Sequence, residues 1–448
     1  MLKRVERQVL KDENDICVLA KDAKFPSPFE SRLEFSCSAR GPWNIAHTGM
    51  LIPEAHEVFV CAQSCLRGVV LTAAEMNAID RFSNIIVREN NILEGDTEDL
   101  IIQSIGEILS KLSYTPKAIL LYTSCIHHFI GCDLKLVYKK LREKYPDIEF
   151  TDCYMNPIMR KSGLTPDQIM RRQLYSLIDK CDTDYNSVNI IGNNYKTDDD
   201  SELVKIIKEN KFTLREVPRT KDYREYKDMG RAFLNIIYNP AALEAGRYLK
   251  DKLDQRYLYL SLSYDFDEIK KNLDKLCEAL NIDKIDFKEN ETNAEKALKN
   301  AKEIIKDTPI SIDYTFTIRP LSFAKLLLKY NFNVVSIYAD SFINEEEEDF
   351  KYIKENYPNI KIYATVHVKM RFVKRHTDKK ILALGQKAAY FTGSNNFVNI
   401  VEGGGMYGFS SIEKLSNLMV DAFLNEKDMK KLIQFKGLGC ENYETNRK

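Results

Sequence analysis

The chain has 448 residues, 44% of them hydrophobic, and its 66 basic side chains balance 66 acidic ones. That length prescribes about three domains, and a formal net charge of zero supplies no field to gather nucleic acid or an acidic membrane surface. The opening MLKRVERQVLKDEND lacks an apolar signal core and no apolar run reaches the ~20 residues that span a bilayer, so a cytoplasmic protein is expected.

Residues 1–34 read as an N-terminal arm with Pro26 and Pro28 in a turn. From Cys37 onward strands and helices alternate. HEVFVCA is a short buried strand, and LRGVVLTAAEMNAID is ambiguous between strand and helix. FSNIIVRE is a strand, TEDLIIQSIGEILSKLS has helical spacing, and KAILLYTSC is a β-run ending at Cys125. DLKLVYKKLREKY is a helix and DIEFTDCYM a strand ending at Cys153. Thr165, Pro166 and Gln168 form a capping box, from which a helix is expected to run to Lys180.

SVNIIGNNYKTDDDSELVKIIKENKFTLREV opens a second unit, and YLYLSLSYDFDEIKKNLDKLCEAL repeats its strand–helix plan. TPISIDYTFTIRPLSFAKLLLKYNFNVVSIYAD opens a third, continuing through IKIYATV and KKILALGQKAAYFTG to the helix SIEKLSNLMVDAF. The acidic run Glu345 to Asp349 is expected to be a solvated loop or helix start. The alternation predicts an α/β protein with mostly parallel sheets. Its expected domains are an arm (1–34) and three Rossmann-like domains (35–185, 186–307, and 308–448 with the C-terminal tail).

Ten cysteines in a reducing compartment do not read as a disulfide framework. They crowd the first part of the chain, since only Cys277 and Cys440 follow Cys181. Cys61, Cys65, Cys125 and Cys153 fall at carboxyl ends of expected strands, where α/β sheets carry their functional loops. Thiolates favour Fe–S clusters, zinc or copper(I). Cys61 and Cys65 make one loose zinc-type pair, but Cys125 and Cys132 are too widely spaced for a second, and no ferredoxin-type run is present. Single cysteines on successive strand–loop junctions suit a cluster lying across a domain surface.

Three segments carry a resemblance to a known family: CSARGPW with Cys37, VCAQSCLRG with Cys65, and LYTSCIHHFIGCDL with Cys125. In order and spacing they resemble the cluster-ligand segments of the nitrogenase component 1 superfamily. That family includes dark-operative protochlorophyllide reductase and the reductive cyclase of nickel-tetrapyrrole biosynthesis. VNIIGNNYKTDDDSELVKIIKENKF is similar to the family's second-domain opening. IDYTFTIRPLSFAKLLLKYNFNVVSIYAD, with Arg319, is similar to the third, and LGQKAAYFTGSNNFVNIVEGGGMYGFSS to its last strand–loop–helix. The likeness covers roughly residues 30 to 425.

The resemblance implies three Rossmann-like domains around a central cleft and an iron–sulfur cluster, [4Fe–4S] or larger, on Cys37, Cys65 and Cys125. Cys61 and Cys132 exceed that minimal set and are further candidates. It also implies a homodimer or a paired homologous subunit, a separate iron-protein ATPase that delivers electrons, and a small-molecule substrate. Positions near Ser263 and Val401 lack the Cys and His that anchor the large nitrogenase cofactor, so no molybdenum–iron-type cofactor and no dinitrogen reduction are expected. The chain contains no P-loop, so no bound ATP is expected on it. Neither nucleic acid nor membrane is an expected partner.

The reading is the catalytic component of an ATP-dependent low-potential reductase. The alternatives are a scaffold for metallocluster assembly and an α/β binding protein with zinc or no metal. Substrate or cluster-neighbour candidates are His127 and His128, His47 and His56 between the first two ligands, and Arg319 as a carboxylate contact. To these are added Gly404 in the Gly403–Gly405 turn, whose amides could approach an anion, and Trp43 as a cover over the cluster. Cys153 is a weaker metal candidate. His367 and His376 sit on a basic face.

Overall fold

A computed structural model describes residues 13, 15–30, 34, 35, 37, 39, 45–156, 163–373, 380–429, 431 and 432. Trp43, His376 and Cys440 lie outside the described residues. Chain contacts divide the protein into two compact units. One comprises residues 43–196 and 207–259, and the other comprises 1–42, 197–206 and 260–436.

The chain begins with β1 (Cys17–Leu19), and α1 (Ile45–Met50) leads into β2 (Ala55–Cys61). The ambiguous segment resolves as α2 (Arg67–Glu75), after which come β3 (Phe82–Ile86), α3 (Glu89–Glu94) and α4 (Thr97–Lys111). Then follow β4 (Ala118–Ser124), α5 (Cys125–Ile130), α6 (Leu134–Lys144) and β5 (Glu149–Met155). These strands form a parallel sheet in the order β3–β2–β4–β5. Every residue of β2 is buried, as parallel strands covered on both faces require. Ala55, Phe59 and Cys61 enter one core, while Val58 and Val60 enter the other beneath α4 and α6.

Helix α7 (Pro166–Gln173) starts at the expected box: Thr165 Oγ1 accepts from the Gln168 N–H at 3.2 Å, and Gln168 Oε1 from the Thr165 N–H at 2.9 Å. It stops at Gln173 rather than Lys180. Leu174, Tyr175, Leu177 and Ile178 continue instead as buried turns in the core shared with α10 (Leu243–Leu253). The second sheet holds β6 (Asp184–Ile190), β7 (Thr213–Arg215), β8 (Ala232–Ile237) and β9 (Arg256–Tyr259) in the order β7–β6–β8–β9, all parallel. Helices α8 (Glu202–Glu209) and α9 (Tyr223–Lys227) lie between its strands in sequence.

The other unit carries α11 (Phe266–Ala279), α12 (Lys288–Ile305), β10 (Ile310–Asp313), α13 (Pro320–Lys329), β11 (Val334–Tyr338) and α14 (Glu347–Asn356). It closes with β12 (Lys361–Tyr363), β13 (Leu382–Leu384), α15 (Gln386–Thr392), β14 (Phe397–Val398) and α16 (Phe409–Leu424). Its six strands run β1–β12–β11–β10–β13–β14. All pairs are parallel except β1 with β12, so the N-terminal arm supplies an antiparallel edge strand that its sequence did not announce.

The acidic run departs from expectation. Helix α14 does begin within it, but Glu346 and Asp349 are buried rather than solvated, because both face Arg319. Among the described residues no helix is long and apolar enough to cross a membrane.

Candidate metal centre

Parallel register determines where the cysteines of the first sheet emerge. Val60 of β2 lies opposite Thr123 of β4, and Ser124 of β4 opposite Met155 of β5. The strands therefore end at one edge. Beyond β2 a single 3₁₀ turn, Gln63–Cys65, brings Cys65 to the surface. Beyond β4 the next residue is Cys125, half-buried, at the start of α5. Two candidate ligands from segments 60 residues apart in sequence thus stand at neighbouring strand ends.

The other cysteines of this unit occupy different surroundings. Cys61 is the last residue of β2 and fully buried; burial, then the neighbouring Cys65 charge, pushes its thiol up to about 12. Cys153 lies two residues inside β5 rather than at its end, paired in register with Tyr122 and fully buried, and burial raises its thiol strongly. Cys132 faces Glu98, which accepts the Asp133 N–H at 2.7 Å; burial and then the Glu98 charge push the Cys132 thiol up to about 12. All three environments favour neutral thiols.

His127 is buried two residues after Cys125 in α5. Its Nδ1 stands 3.2 Å from the Ser124 nitrogen and 3.3 Å from the Ser124 carbonyl oxygen, accepting from the N–H in one neutral tautomer and donating to the carbonyl in the other. Burial lowers its pKa, and Nε2 is buried without a hydrogen-bond partner. His128 is exposed, as is Phe129. His47 is buried in α1, and burial together with the Arg171 charge brings it down to about 3. His56 is in β2, held at 2.8 Å by both Tyr114 Oη and Ser83 Oγ.

A buried polar pair lies on the same face of this sheet, and no motif in the sequence points to it. Tyr122 Oη is 3.0 Å from both Glu57 Oε1 and the Ile45 carbonyl. Burial raises Glu57 well above the carboxylate range, and its second oxygen, Oε2, is buried without a hydrogen-bond partner. Alternation along β2 would have exposed the anomaly, since Glu57 falls between Ala55 and Phe59 on an apolar face.

Cys37, Arg319 and Gly404 belong to the other unit. Cys37 is buried, with its Sγ 3.7 Å from the Ala39 carbonyl. Arg319 is almost wholly buried. Its Nη1 donates to Leu262 O at 2.9 Å and to Glu268, and its Nη2 to Glu345 O at 2.9 Å and Asp349 Oδ2 at 2.8 Å. Its Nε is buried without a hydrogen-bond partner, and a substrate carboxylate at either Nη would have to displace one of the partners named. Residues 402–404 have left-handed backbones, but their amides donate to the carbonyls of Thr315, Phe316 and Val401, so they are spent inside the fold. His367 caps a 3₁₀ turn by accepting from the Lys369 N–H at 3.1 Å.

Within either unit, no three His, Cys, Asp or Glu side chains among the described residues converge as a metal cage. The donors nevertheless fit an iron–sulfur cluster. Cys65 and Cys125 are soft ligands at one accessible edge, and the buried, unpartnered Nε2 of His127 belongs to the residue two positions after one of them.

Comparison with known proteins extends this geometry. No curated protein matches the sequence. Two solved structures described as nitrogenase Cp1, at pH 6.5 and pH 5, align with TM-scores of 0.63 and 0.60 at 11% and 12% identity. They cover 88% and 94% of this chain and 94% and 96% of their own, a likeness of fold. The sequence model of the nitrogenase component 1 type oxidoreductases matches residues 46–389, which include both edge cysteines. The chain belongs to the nitrogenase component 1 type oxidoreductase family.

Proposed function

We propose that this chain is the substrate-reducing component of an ATP-dependent low-potential reductase, with Cys37, Cys65 and Cys125 as ligands of an iron–sulfur cluster. The observation that carries the reading is the shared strand edge of Cys65 and Cys125 in a chain of this family. When bound, such a cluster supplies one-electron storage at low potential.

The protein's own residues have separable tasks. Cys65, on the 3₁₀ turn just beyond β2, and Cys125, at the start of α5 directly after β4, provide thiolates from ordered elements, which fix ligand positions better than mobile loops do. In the tautomer whose Nδ1 accepts from the Ser124 amide, His127 offers its Nε2–H as a hydrogen-bond donor. Sulfur that accepts such a bond becomes less basic and easier to reduce around. Electrons would come from a separate iron-protein ATPase, and a second subunit, identical or homologous, would complete the assembly. The substrate is a small molecule outside the dinitrogen class.

The test is electron delivery. Anaerobically purified protein, mixed with a nitrogenase-type iron protein, dithionite and MgATP, should show reduction of its cluster signal that fails when MgATP is omitted. Cluster transfer to an acceptor protein, with no ATP-dependent reduction, would replace this reading with that of an assembly scaffold.

A further inference from the structure

Helix α13 turns one stripe, Ser322, Lys325, Leu326 and Lys329, toward the start of α11, where the chain passes through Tyr264, Asp265 and Asp267. Residues three and four apart share a helix face, so the four are neighbours along one wall. Between this wall and the first turn of α11 lies a cavity of about 190 Å³. In liquid water that volume holds on the order of six molecules. All of these residues belong to the unit that lacks Cys65 and Cys125.

Leu326 and Tyr264, both buried, give the cavity an apolar surface. The polar atoms of Tyr264 are occupied: its hydroxyl is 2.9 Å from Thr317 Oγ1, and its N–H donates to Ser322 Oγ at 3.3 Å. The two walls carry opposite charge. They touch through Lys329, whose Nζ donates to Asp265 Oδ2 at 3.3 Å, longer than the ~2.7–2.9 Å of a well-made ammonium–carboxylate bond. Lys325 donates to Asp349 Oδ1 at 2.9 Å, and an ammonium owns three such donors. Asp265 Oδ1 accepts the Asp267 N–H at 3.2 Å as the cap of α11, and Asp267 is exposed. Capping accounts for that one oxygen of Asp265. It does not account for lysines and carboxylates held apart across an apolar gap.

We propose that this cavity binds a free α-amino acid with an apolar side chain, its carboxylate on Lys325 and Lys329, its ammonium on Asp265 and Asp267, and its side chain against Leu326 and Tyr264. The walls select both charges at once. An acid without an ammonium would sit against two carboxylates, and an amine without a carboxylate against two lysines. An α-amino acid joins the two signs at one carbon and completes the long Lys329–Asp265 contact from both sides. Its apolar body gains by leaving water for the Leu326 and Tyr264 surface. Binding here requires no metal, so it stands or falls separately from the assignment of Cys37, Cys65 and Cys125.

Isothermal titration calorimetry on the full-length protein tests this with L-leucine and L-phenylalanine, each beside its N-acetyl and its amide derivative. At least one of the free amino acids should bind saturably, once per chain. Removing either charge from the ligand should weaken binding about tenfold or more, and so should Lys329→Met or Asp267→Asn in the protein. Exposed ion pairs contribute little to stability, so both variants should melt near the wild type. Should Lys329→Met fail to fold, Asp267→Asn, at an exposed position, decides alone. No binding of either amino acid at millimolar concentration would overturn the proposal. So would an N-acetyl derivative that binds as tightly as the free amino acid, or binding that survives the substitutions unchanged.

Discussion

Val60 of β2 lies opposite Thr123 of β4 in a parallel ladder that starts at Ala55 and Ala118. That register carries the chain out of both strands at the same level, toward Cys65 on one side and Cys125 on the other. A slip of one residue would turn every side chain of a strand to its other face, sending Cys61 out of the core it shares with Phe59 and Leu120.

The surroundings of Cys61, Cys132 and Cys153 separate them from the edge pair. Cys61→Ala, Cys132→Ser and Cys153→Ala should each retain wild-type iron per chain. The two buried sites should lower stability by no more than a few kcal/mol, on the order of a small core truncation. Iron analysis and thermal melts check this. Iron loss in Cys132→Ser at unchanged melting temperature would make Cys132 a ligand.

Gly49 lies against the buried Glu57–Tyr122 pair, and a Cβ there would collide with Glu57 Oε1 and Tyr122 Oη. Alanine in a helix normally gains about 1 kcal/mol over glycine. In this position overpacking should outweigh that gain, so Gly49→Ala is expected to destabilise the protein by about 1–3 kcal/mol. Denaturant melts decide the sign.

Arg319 joins Glu268 and Asp349 inside one unit, and Lys325 also donates to Asp349 at 2.9 Å. Arg319→Met leaves Asp349 buried with less compensation, at a cost of about 3–5 kcal/mol. Were Arg319 a substrate contact instead, the variant would keep its melting temperature and lose only substrate affinity.

Glu346 caps the start of α13, its Oε1 accepting the Leu321 N–H at 2.7 Å. Burial, opposed by Arg319, raises its pKa from 4.5 to about 8. A carboxyl raised in the folded state contributes stability that is complete below the unfolded pKa and lost as pH rises through the folded one. Between about 4.5 and 8 the folded form holds a proton that the unfolded chain has released, so stability falls with pH. Glu346→Gln removes that dependence. The melting temperature of the variant, relative to wild type, should therefore climb across this window, and a flat difference would contradict the assignment.

The sequence makes the parallel α/β class legible because its strands are apolar runs buried on both faces, as in AILLYTS, and its helices show clear periodicity. The antiparallel β1 escapes notice because its three residues lie in the five-residue apolar run ICVLA, too short to show a period, and β8, α10 and α12 lie in stretches without a distinctive motif. At the site, cysteine spacing points to Cys65 and Cys125, since strand ends are local features. It does not separate them from Cys61 and Cys132, whose difference is burial and contact with Glu98.

Iron and acid-labile sulfide per chain, measured on anaerobically purified wild type and on a Cys65→Ala/Cys125→Ala double variant with EPR before and after dithionite, test the cluster assignment most directly. The expected result is about four irons per chain, or a larger shared cluster, with a reducible signal in the wild type and loss of both in the variant. An iron-free wild type, or a double variant that retains its iron and signal, would contradict it.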